Sequence, residues 1–150
     1  MNLLGFLERK VLFERLVIGL EEPILIKGVG ELQAKIDSGN GGFNVIHGTD
    51  IYQEGDVLHF HTVDSAGNPK HVASKIIDRI QVNIGGGHIQ DRPVVSMDVK
   101  FANTLYKGIP FSVTDRTDND FKVLISKQFV DDELDALIDV GEKNISKDNK

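Results

Sequence analysis

AKIDSGNGG, residues 34–42, brings an aspartate, a serine and a run of glycines to the end of an apolar stretch. Leu32 and Ile36 belong to an alternating pattern typical of a strand buried on one face, so Asp37 leaves the strand end in a defined direction. A carboxylate held in this way can act as a general base if a second carboxylate lies beside it, because two like charges in contact share one proton. Asp-Ser-Gly is also a common turn sequence, and on the tripeptide alone a simple turn is strongly favoured over a catalytic site.

Strands account for most of the remaining sequence. The stretch ILIKGVGELQAKI, residues 24–36, predicts two strands that meet at Gly28-Val29-Gly30. The same alternation recurs in VLHFHTV (57–63), RIQVNI (79–84), VVSMDVKF (94–101) and GIPFSVT (108–114). The sequence therefore predicts a mainly β chain that forms a single domain.

Helix is predicted at one or two short places only. Residues 2–17 fit an amphipathic helix, and a strand beginning at Val11 fits part of the same stretch. DDELDALI, residues 131–138, carries acidic residues suited to a helix start, whereas ALIDV, residues 136–140, could close the fold as a strand. The last stretch, residues 141–150, is polar and is expected to fray.

Composition narrows the functional classes. The 150 residues carry a formal charge of -6, which argues against a nucleic-acid groove because phosphate binding needs clustered Lys and Arg. The absence of cysteine excludes disulfides, thiol catalysis and Cys-type zinc sites, and it fits a reducing compartment. The N-terminal residues contain neither a membrane-spanning apolar run nor the pattern of a signal peptide. We therefore expect a cytoplasmic protein without membrane or nucleic-acid partners.

Four motifs in a fixed order carry a resemblance to a known family. AKIDSG (34–39) is followed by NVIHG (44–48), DRPVV (91–95) and VTDR (113–116). From about Ile24 to Val140 the chain resembles the retropepsin-like aspartic proteases, in particular a bacterial and phage branch often labelled ATP-dependent zinc protease. The resemblance implies an acid-protease β-barrel with one lobe per chain and one or two short helices. The chain then divides into an N-terminal arm or helix (1–22), a retropepsin-like domain (23–140) and a polar tail (141–150).

The resemblance also assigns roles within the first motif. It implies that Asp37 is catalytic and that Ser38 and Gly39 hold its carboxylate and supply hydrogen bonds. The sequence has no second Asp-Thr/Ser-Gly, so the second carboxylate of the dyad must come from another copy of the chain. The implied function is that of a homodimeric aspartic endopeptidase, which activates water to hydrolyse a bond in a peptide or protein substrate. Neither a nucleotide-binding loop nor a metal-ligand motif is present, so no cofactor and no metal are expected.

Further positions join the candidate site. The turn-rich hairpin from Asp64 to Lys70 is a candidate flap that could close over an extended peptide. Its tip consists of Asp64, Ser65, Ala66, Gly67 and Asn68. His47, Arg92 and Arg116 lie in the other motifs and are candidates for structural or substrate contacts. Arg116 could form an ion pair with Asp115 that staples the sheet, which is favoured, or receive an acidic substrate side chain.

One departure from the family pattern bears on catalysis. In FKVLISKQF, residues 121–129, Ser126 stands where retropepsin-like chains usually carry glycine, and Lys127 stands where arginine is common. The serine leaves an alternative open, namely a catalytically inactive retropepsin-like binding or scaffold module in which Asp37 is a turn residue.

The histidines give a third hypothesis, a metal hydrolase. His59 and His61 share one face of a predicted strand and could bind a metal together with His47 or His71. A solvent-facing or lightly hydrogen-bonded role is favoured for them, because strand alternation alone explains their positions.

Overall fold

Six β-strands close into a barrel that encloses the hydrophobic core. The structure, a computed structural model, describes residues 15–146. The strands are β1 (Val17–Ile18), β2 (Glu21–Ile26), β3 (Gly30–Asp37), β4 (Asn44–His47), β5 (Thr49–Glu54), β6 (Val57–Val63), β7 (Pro69–Gly85), β8 (His88–Phe101), β9 (Thr104–Thr114), β10 (Val123–Ser126) and β11 (Leu137–Ile138). Within the described residues one helix is found, the short π-helix α1 (Phe129–Leu134).

The barrel follows the strand order β2, β3, β10, β4, β9 and β8, and it closes where β8 pairs with β2. At this closure Leu25 lies opposite Lys100, and Ile26 lies opposite Val99. Strands β7, β6 and β5 continue the sheet beyond β8, outside the barrel. The predicted mainly β acid-protease barrel, with one lobe per chain, is confirmed.

Alternation along β3 sets which side chains fill the barrel. Leu32, Ala34 and Ile36 are buried, whereas Lys35 between them is exposed. The turn that precedes β3 contains Gly28 at φ 86°, a backbone conformation that glycine adopts without steric cost. Ile36 therefore anchors the strand, and the chain direction at Asp37 follows from the register of β3.

The insertion of β10 between β3 and β4 determines where the candidate site lies. β10 runs parallel to β3, with Ser126 opposite Asp37, and antiparallel to β4. Residues 38–43 join two strands that are separated by a third, so this loop must cross the end of β10. Asp37 and the loop after it consequently sit over a buried strand rather than at a free hairpin.

The N-terminal arm predicted for residues 1–22 lies mainly outside the described residues. In its described part β1 pairs in parallel with β11, with Val17 opposite Leu137, and β2 begins at Glu21. Both readings of the acidic stretch near residue 131 are partly correct, because α1 runs from Phe129 to Leu134 and β11 begins at Leu137. No helix within residues 15–146 is long and apolar enough to cross a membrane.

The described part of the predicted polar tail packs against β2 instead of fraying. The side chain of Glu22 is fully buried and accepts hydrogen bonds from the N–H groups of Gly19 (2.7 Å), Ile145 (3.1 Å) and Ser146 (3.1 Å). The hydroxyl of Ser146 donates to the same carboxylate at 2.6 Å. The expectation of a frayed tail is wrong for these residues, because a buried carboxylate must be hydrogen-bonded and the tail supplies the donors.

Candidate active site

Asp37 is the last residue of β3 and is half-buried, with Ser38 and Gly39 exposed beyond it. Its backbone carbonyl accepts a hydrogen bond from the N–H of Asn40 at 3.0 Å, which turns the chain back over the sheet. Within residues 15–146 no group donates a hydrogen bond to the Asp37 carboxylate. The side chain is thus held in place by its strand and remains open to water or to another molecule.

Asn40 fixes the loop that follows the aspartate. Its side-chain amide donates to the carbonyl of Phe43 (3.0 Å), and its side-chain oxygen accepts from the N–H of Gly42 (2.9 Å). Its backbone carbonyl accepts from the N–H of Lys127 at the end of β10 (2.9 Å). The loop is therefore braced internally and tied to the strand beneath it. Nothing in the sequence beyond the turn propensity of asparagine indicated this role.

Gly39 lies beside the Asp37 carboxylate in an ordinary backbone conformation. Its φ is not positive, as it would be at a turn position that favours glycine. A Cβ atom at Gly39 would lie 3.8 Å from Oδ1 of Asp37. This is an ordinary van der Waals distance, so neither the backbone conformation nor the space at this position requires glycine.

Ser126 fits its position without backbone strain. It is 2% exposed and has no positive φ, so glycine is not required there. Its N–H donates to Oδ1 of Asn44 at 2.8 Å, and its hydroxyl accepts from the N–H of Phe129 at 3.3 Å. The hydroxyl thereby satisfies a free donor at the start of α1, as a capping side chain does. The serine therefore has a structural role of its own.

We expect Ser126→Ala to lower the free energy of unfolding by about 1 kcal/mol, because the Phe129 N–H loses its acceptor. Ser126→Gly is expected to cost somewhat more, since glycine also gains freedom in the unfolded chain. Urea denaturation of both variants measures this. A stabilised glycine variant would show that the serine is strained after all.

The side chain of Lys122, which no sequence motif indicated, stabilises the loop from Asp115 to Lys122. The Nζ atom of Lys122 donates to the carbonyls of Arg116 (2.8 Å), Thr117 (3.0 Å) and Asn119 (2.8 Å). The carboxylate of Asp115 accepts from the N–H of Thr117 at 2.8 Å. One ammonium group thus donates hydrogen bonds to three backbone carbonyls and fixes the conformation of the loop.

Arg116 is held by this loop and does not form the predicted ion pair with Asp115. Its Nε donates to the carbonyl of Phe121 at 2.8 Å, and among residues 15–146 no carboxylate lies within ion-pair distance of its guanidinium. The physical reason is that the Asp115 carboxylate is already turned toward Thr117. The sheet-stapling interpretation of Arg116 is therefore wrong, although the arginine does have a structural contact.

Arg116 interacts electrostatically with both Asp37 and Arg92. Burial lowers the pKa of Arg116 most, Arg92 lowers it further, and Asp37 raises it. Burial also lowers the pKa of Arg92, whose Nε donates to Oε1 of Gln90 at 2.7 Å. The site therefore combines one carboxylate with two partly desolvated cations.

His47, the histidine of the second motif, contacts the Arg116 loop directly. Its ring is buried at the end of β4, and Nδ1 accepts a hydrogen bond from the backbone N–H of Arg116 at 2.8 Å. Burial lowers the pKa of His47 most, and Lys122 lowers it next. The structure thus places the residues of all four motifs around one end of the barrel.

Comparison with known proteins agrees with this arrangement. The model of the family described as "RimB-like: Retropepsin-like aspartic endopeptidase RimB" matches residues 17–149. The chain belongs to the RimB-like family. No curated protein matches the sequence.

The fold of this RimB-like chain also occurs in a solved structure. A crystal structure of Lpg0085, a protein of unknown function from Legionella pneumophila subsp. pneumophila str. Philadelphia 1, superimposes with a TM-score of 0.73 at 19% sequence identity. The match covers 87% of the present chain and 98% of the Legionella chain. At this identity the likeness shows a shared fold. The family match reaches beyond residues 23–140 at both ends, in agreement with the packed C-terminal segment.

The candidate flap at Asp64, Ser65, Ala66, Gly67 and Asn68 lies at the wrong end of the RimB-like barrel. The N–H of Ser65 donates to the carbonyl of Glu31 at 2.9 Å, beside the first residue of β3. Asp37 is the last residue of the same strand, and seven residues of extended chain span about 23 Å. The hairpin therefore cannot cover Asp37, and this assignment is wrong.

A different hairpin lies on the Asp37 side. Beyond the barrel the end of β7 pairs with the start of β8, from Arg79 opposite Pro93 to Gly85 opposite His88, and residues 79–93 form a two-stranded arm, here called the ribbon. Its Gln90 accepts a hydrogen bond from the hydroxyl of Thr114 (3.3 Å), next to the Arg116 loop. At its tip Gly85, Gly86 and Gly87 all have positive φ, and Ile84 and Ile89 are 56% and 66% exposed.

The histidines of the extension pair with one another and with nearby acids. Nδ1 of His59 lies 3.2 Å from Nε2 of His71, and Tyr52 stacks on His59 with ring centroids 4.6 Å apart. His61 instead lies 3.1 Å from Asp50. Within residues 15–146 no group of three or more metal-ligating side chains is arranged to hold an ion. His47 is engaged by Arg116 and does not join the other histidines.

Proposed function

We propose that this chain is a homodimeric aspartic endopeptidase in which Asp37 of each subunit forms the catalytic dyad. The observation that carries the proposal is the Asp37 carboxylate, fixed at the end of β3 over β10 and left without a hydrogen-bond donor from residues 15–146. A catalytic dyad needs two carboxylates, and the sequence contains no second Asp-Thr/Ser-Gly motif that could supply the other one. Membership of the RimB-like family supports the same reading.

The chemistry follows from two carboxylates that share one proton. The ionised Asp37 takes a proton from a water molecule as the water oxygen attacks the peptide carbonyl carbon. The protonated Asp37 of the second subunit donates its proton to the carbonyl oxygen. As the C–N bond of the resulting tetrahedral intermediate breaks, the first Asp37 passes the proton gained from water to the departing amine. The Asp37 of the second subunit, now ionised, takes a proton from a hydroxyl of the intermediate, so a carboxylic acid and an amine leave and the dyad again holds one proton. Gly39 has no side chain to cover the carboxylate, and Ser38 is exposed beside it.

We assign the flap to the ribbon instead of the Asp64–Lys70 hairpin. The ribbon extends from the barrel beside Arg116, and its exposed Ile84 and Ile89 give it apolar side chains to place on a bound peptide. An extended substrate would lie between the ribbon and the loop from Asp115 to Lys122. Closure of the ribbon would exclude water other than the nucleophile.

Subunit mixing tests whether the site needs two chains. Wild-type protein is mixed with a ninefold excess of Asp37→Asn protein, and cleavage of a mixed peptide library is followed by mass spectrometry from acidic to neutral pH. If subunits exchange at random and heterodimers are inactive, activity per wild-type chain falls to about one tenth. Native mass spectrometry with isotope-labelled subunits verifies the exchange.

Undiminished activity after complete exchange would show that one chain contains the whole site. A folded wild-type protein that cleaves no library peptide at any pH would favour the inactive binding or scaffold module. Ser126 gives that alternative no support, since its hydroxyl and N–H are both used in the barrel.

A further inference from the structure

We propose that His47 is a positioning residue for this site: its neutral imidazole, unprotonated at Nδ1, fixes the loop from Asp115 to Lys122 and so holds Arg116 in the surroundings of Asp37. The effect on catalysis rests on the proposed function. The hydrogen bond and its dependence on protonation do not, and they can be measured separately.

The direction of one hydrogen bond determines the form of the ring. The backbone N–H of Arg116 can only donate, and it lies 2.8 Å from Nδ1 of His47. Nδ1 must therefore carry its lone pair, and the neutral ring carries its proton on Nε2. The imidazole side chain is only 8% exposed, so water does not readily replace it as the acceptor.

His47 completes an anchoring that fixes Arg116 at two points. Its ring holds the backbone of residue 116, while the Phe121 carbonyl holds the guanidinium through Nε. The backbone of the same histidine is paired too, since the His47 N–H donates to the carbonyl of Lys122 at 2.8 Å. Two side chains thus fix one short loop: the His47 imidazole accepts a hydrogen bond from a backbone N–H, and the Lys122 ammonium donates to three backbone carbonyls.

Protonation of His47 would oppose this arrangement. A proton on Nδ1 would face the Arg116 N–H, donor against donor, and the bond would be lost. The charged groups around the ring are Lys122 and Arg116, which disfavour the cation, and Asp115 at 3.8 Å, which favours it. Burial is the largest influence, and the net result is a pKa below the ordinary 6.5.

The sign of the pH effect follows from this lowered pKa. The unfolded chain binds a proton at His47 near pH 6.5, whereas the folded chain binds it only at lower pH. The contribution of neutral His47 to stability is therefore complete above pH 6.5, and it is lost as the pH falls from 6.5 toward the folded pKa. Ordering of the Arg116 loop, and activity that depends on it, should decline at still lower pH, through the folded pKa.

A matched pair of substitutions tests the position of the acceptor. In His47→Asn the amide oxygen can occupy the place of Nδ1 without titrating, whereas in His47→Gln the polar end reaches the place of Nε2. We expect the asparagine variant to retain near wild-type kcat/KM at neutral pH and to lose the acid-side decline due to His47. We expect the glutamine variant to lose about 10- to 100-fold in kcat/KM, since displaced site groups cost that much.

Nuclear magnetic resonance of the wild-type protein supplies a readout that needs neither activity nor a variant. We expect the imidazole nitrogens of His47 to show an unprotonated Nδ1 at neutral pH, and the Arg116 amide resonance to shift as His47 titrates. A protonated Nδ1, or an Arg116 amide unaffected by that titration, would overturn the proposal. So would equal kcat/KM for the asparagine and glutamine variants. Full activity in Asp37→Asn would instead refute the proposed function and leave the resonance result standing.

Discussion

Asp37→Asn is expected to lower kcat/KM for peptide cleavage by about 1,000-fold or more, which corresponds to about 4 kcal/mol of transition-state stabilisation. Asparagine has nearly the shape of aspartate, but its amide cannot take a proton from water or pass one on. The fold should be retained, because within residues 15–146 no donor depends on this carboxylate. We expect the free energy of unfolding, measured in urea, to change by less than about 1 kcal/mol.

Asp64→Asn is the matched control for this substitution. Asp64 is also followed by serine, but its carboxylate accepts hydrogen bonds from the N–H groups of Ala66 (3.0 Å) and Asn68 (2.9 Å) in an exposed turn. That turn lies at the opposite end of β3 from Asp37, so its change should leave kcat/KM unaffected. If both variants lost activity to the same extent, a general loss of charge would explain the result and the dyad would not.

The barrel and its aspartate could be predicted because they depend on local patterns. Leu32, Ala34 and Ile36 alternate with polar residues, and the burial of β3 follows that alternation. Asp37 is the last residue of this strand, so its placement follows from the prediction of β3 alone. The motif order then identified the family, which the match to residues 17–149 bears out.

The sequence placed the candidate flap at the Asp64–Lys70 hairpin because turn residues do not reveal which end of a barrel a hairpin occupies. Asp64–Lys70 and the glycines at 85–87 have equally good turn chemistry. Their positions are set by strand register: β7 is long enough to pair with β6 through its first half and to leave the barrel with β8 through its second. Only the pairing partners distinguish the two hairpins.

Contacts between residues far apart in the sequence could not be predicted either. Lys122, Asn40 and Asn44 support the site through backbone groups, and nothing in their sequence surroundings distinguishes them from surface residues. Glu22 is different, because it alternates with Ile24 and Ile26, both buried. A glutamate that alternates with buried residues along a strand is itself expected to be buried. A buried carboxylate in turn needs hydrogen-bond donors around it.

Glu22→Gln should lower the free energy of unfolding by about 3 kcal/mol, the second large effect expected here. Four donors converge on the Glu22 carboxylate, from Gly19, Ile145 and Ser146. Whichever oxygen the glutamine NH₂ replaces, it would face a backbone N–H, of Gly19 on one side or of Ser146 on the other, and two donors cannot form a hydrogen bond. Residues 145 and 146 should detach from β2, which hydrogen exchange of their amides can measure.

Glu21→Gln, one residue earlier, separates this effect from a simple loss of charge. Glu21 forms an ion pair with Lys143 at 2.9 Å, but the lysine side chain is 65% exposed, so the pair should contribute less than about 1 kcal/mol. The backbone carbonyl of Glu21 would still accept from Asn144. The two substitutions could destabilise the protein equally, or both could speed the hydrogen exchange of residues 145 and 146. Either result would mean that negative charge near β2 holds the C-terminal segment, and not the buried hydrogen bonds of Glu22.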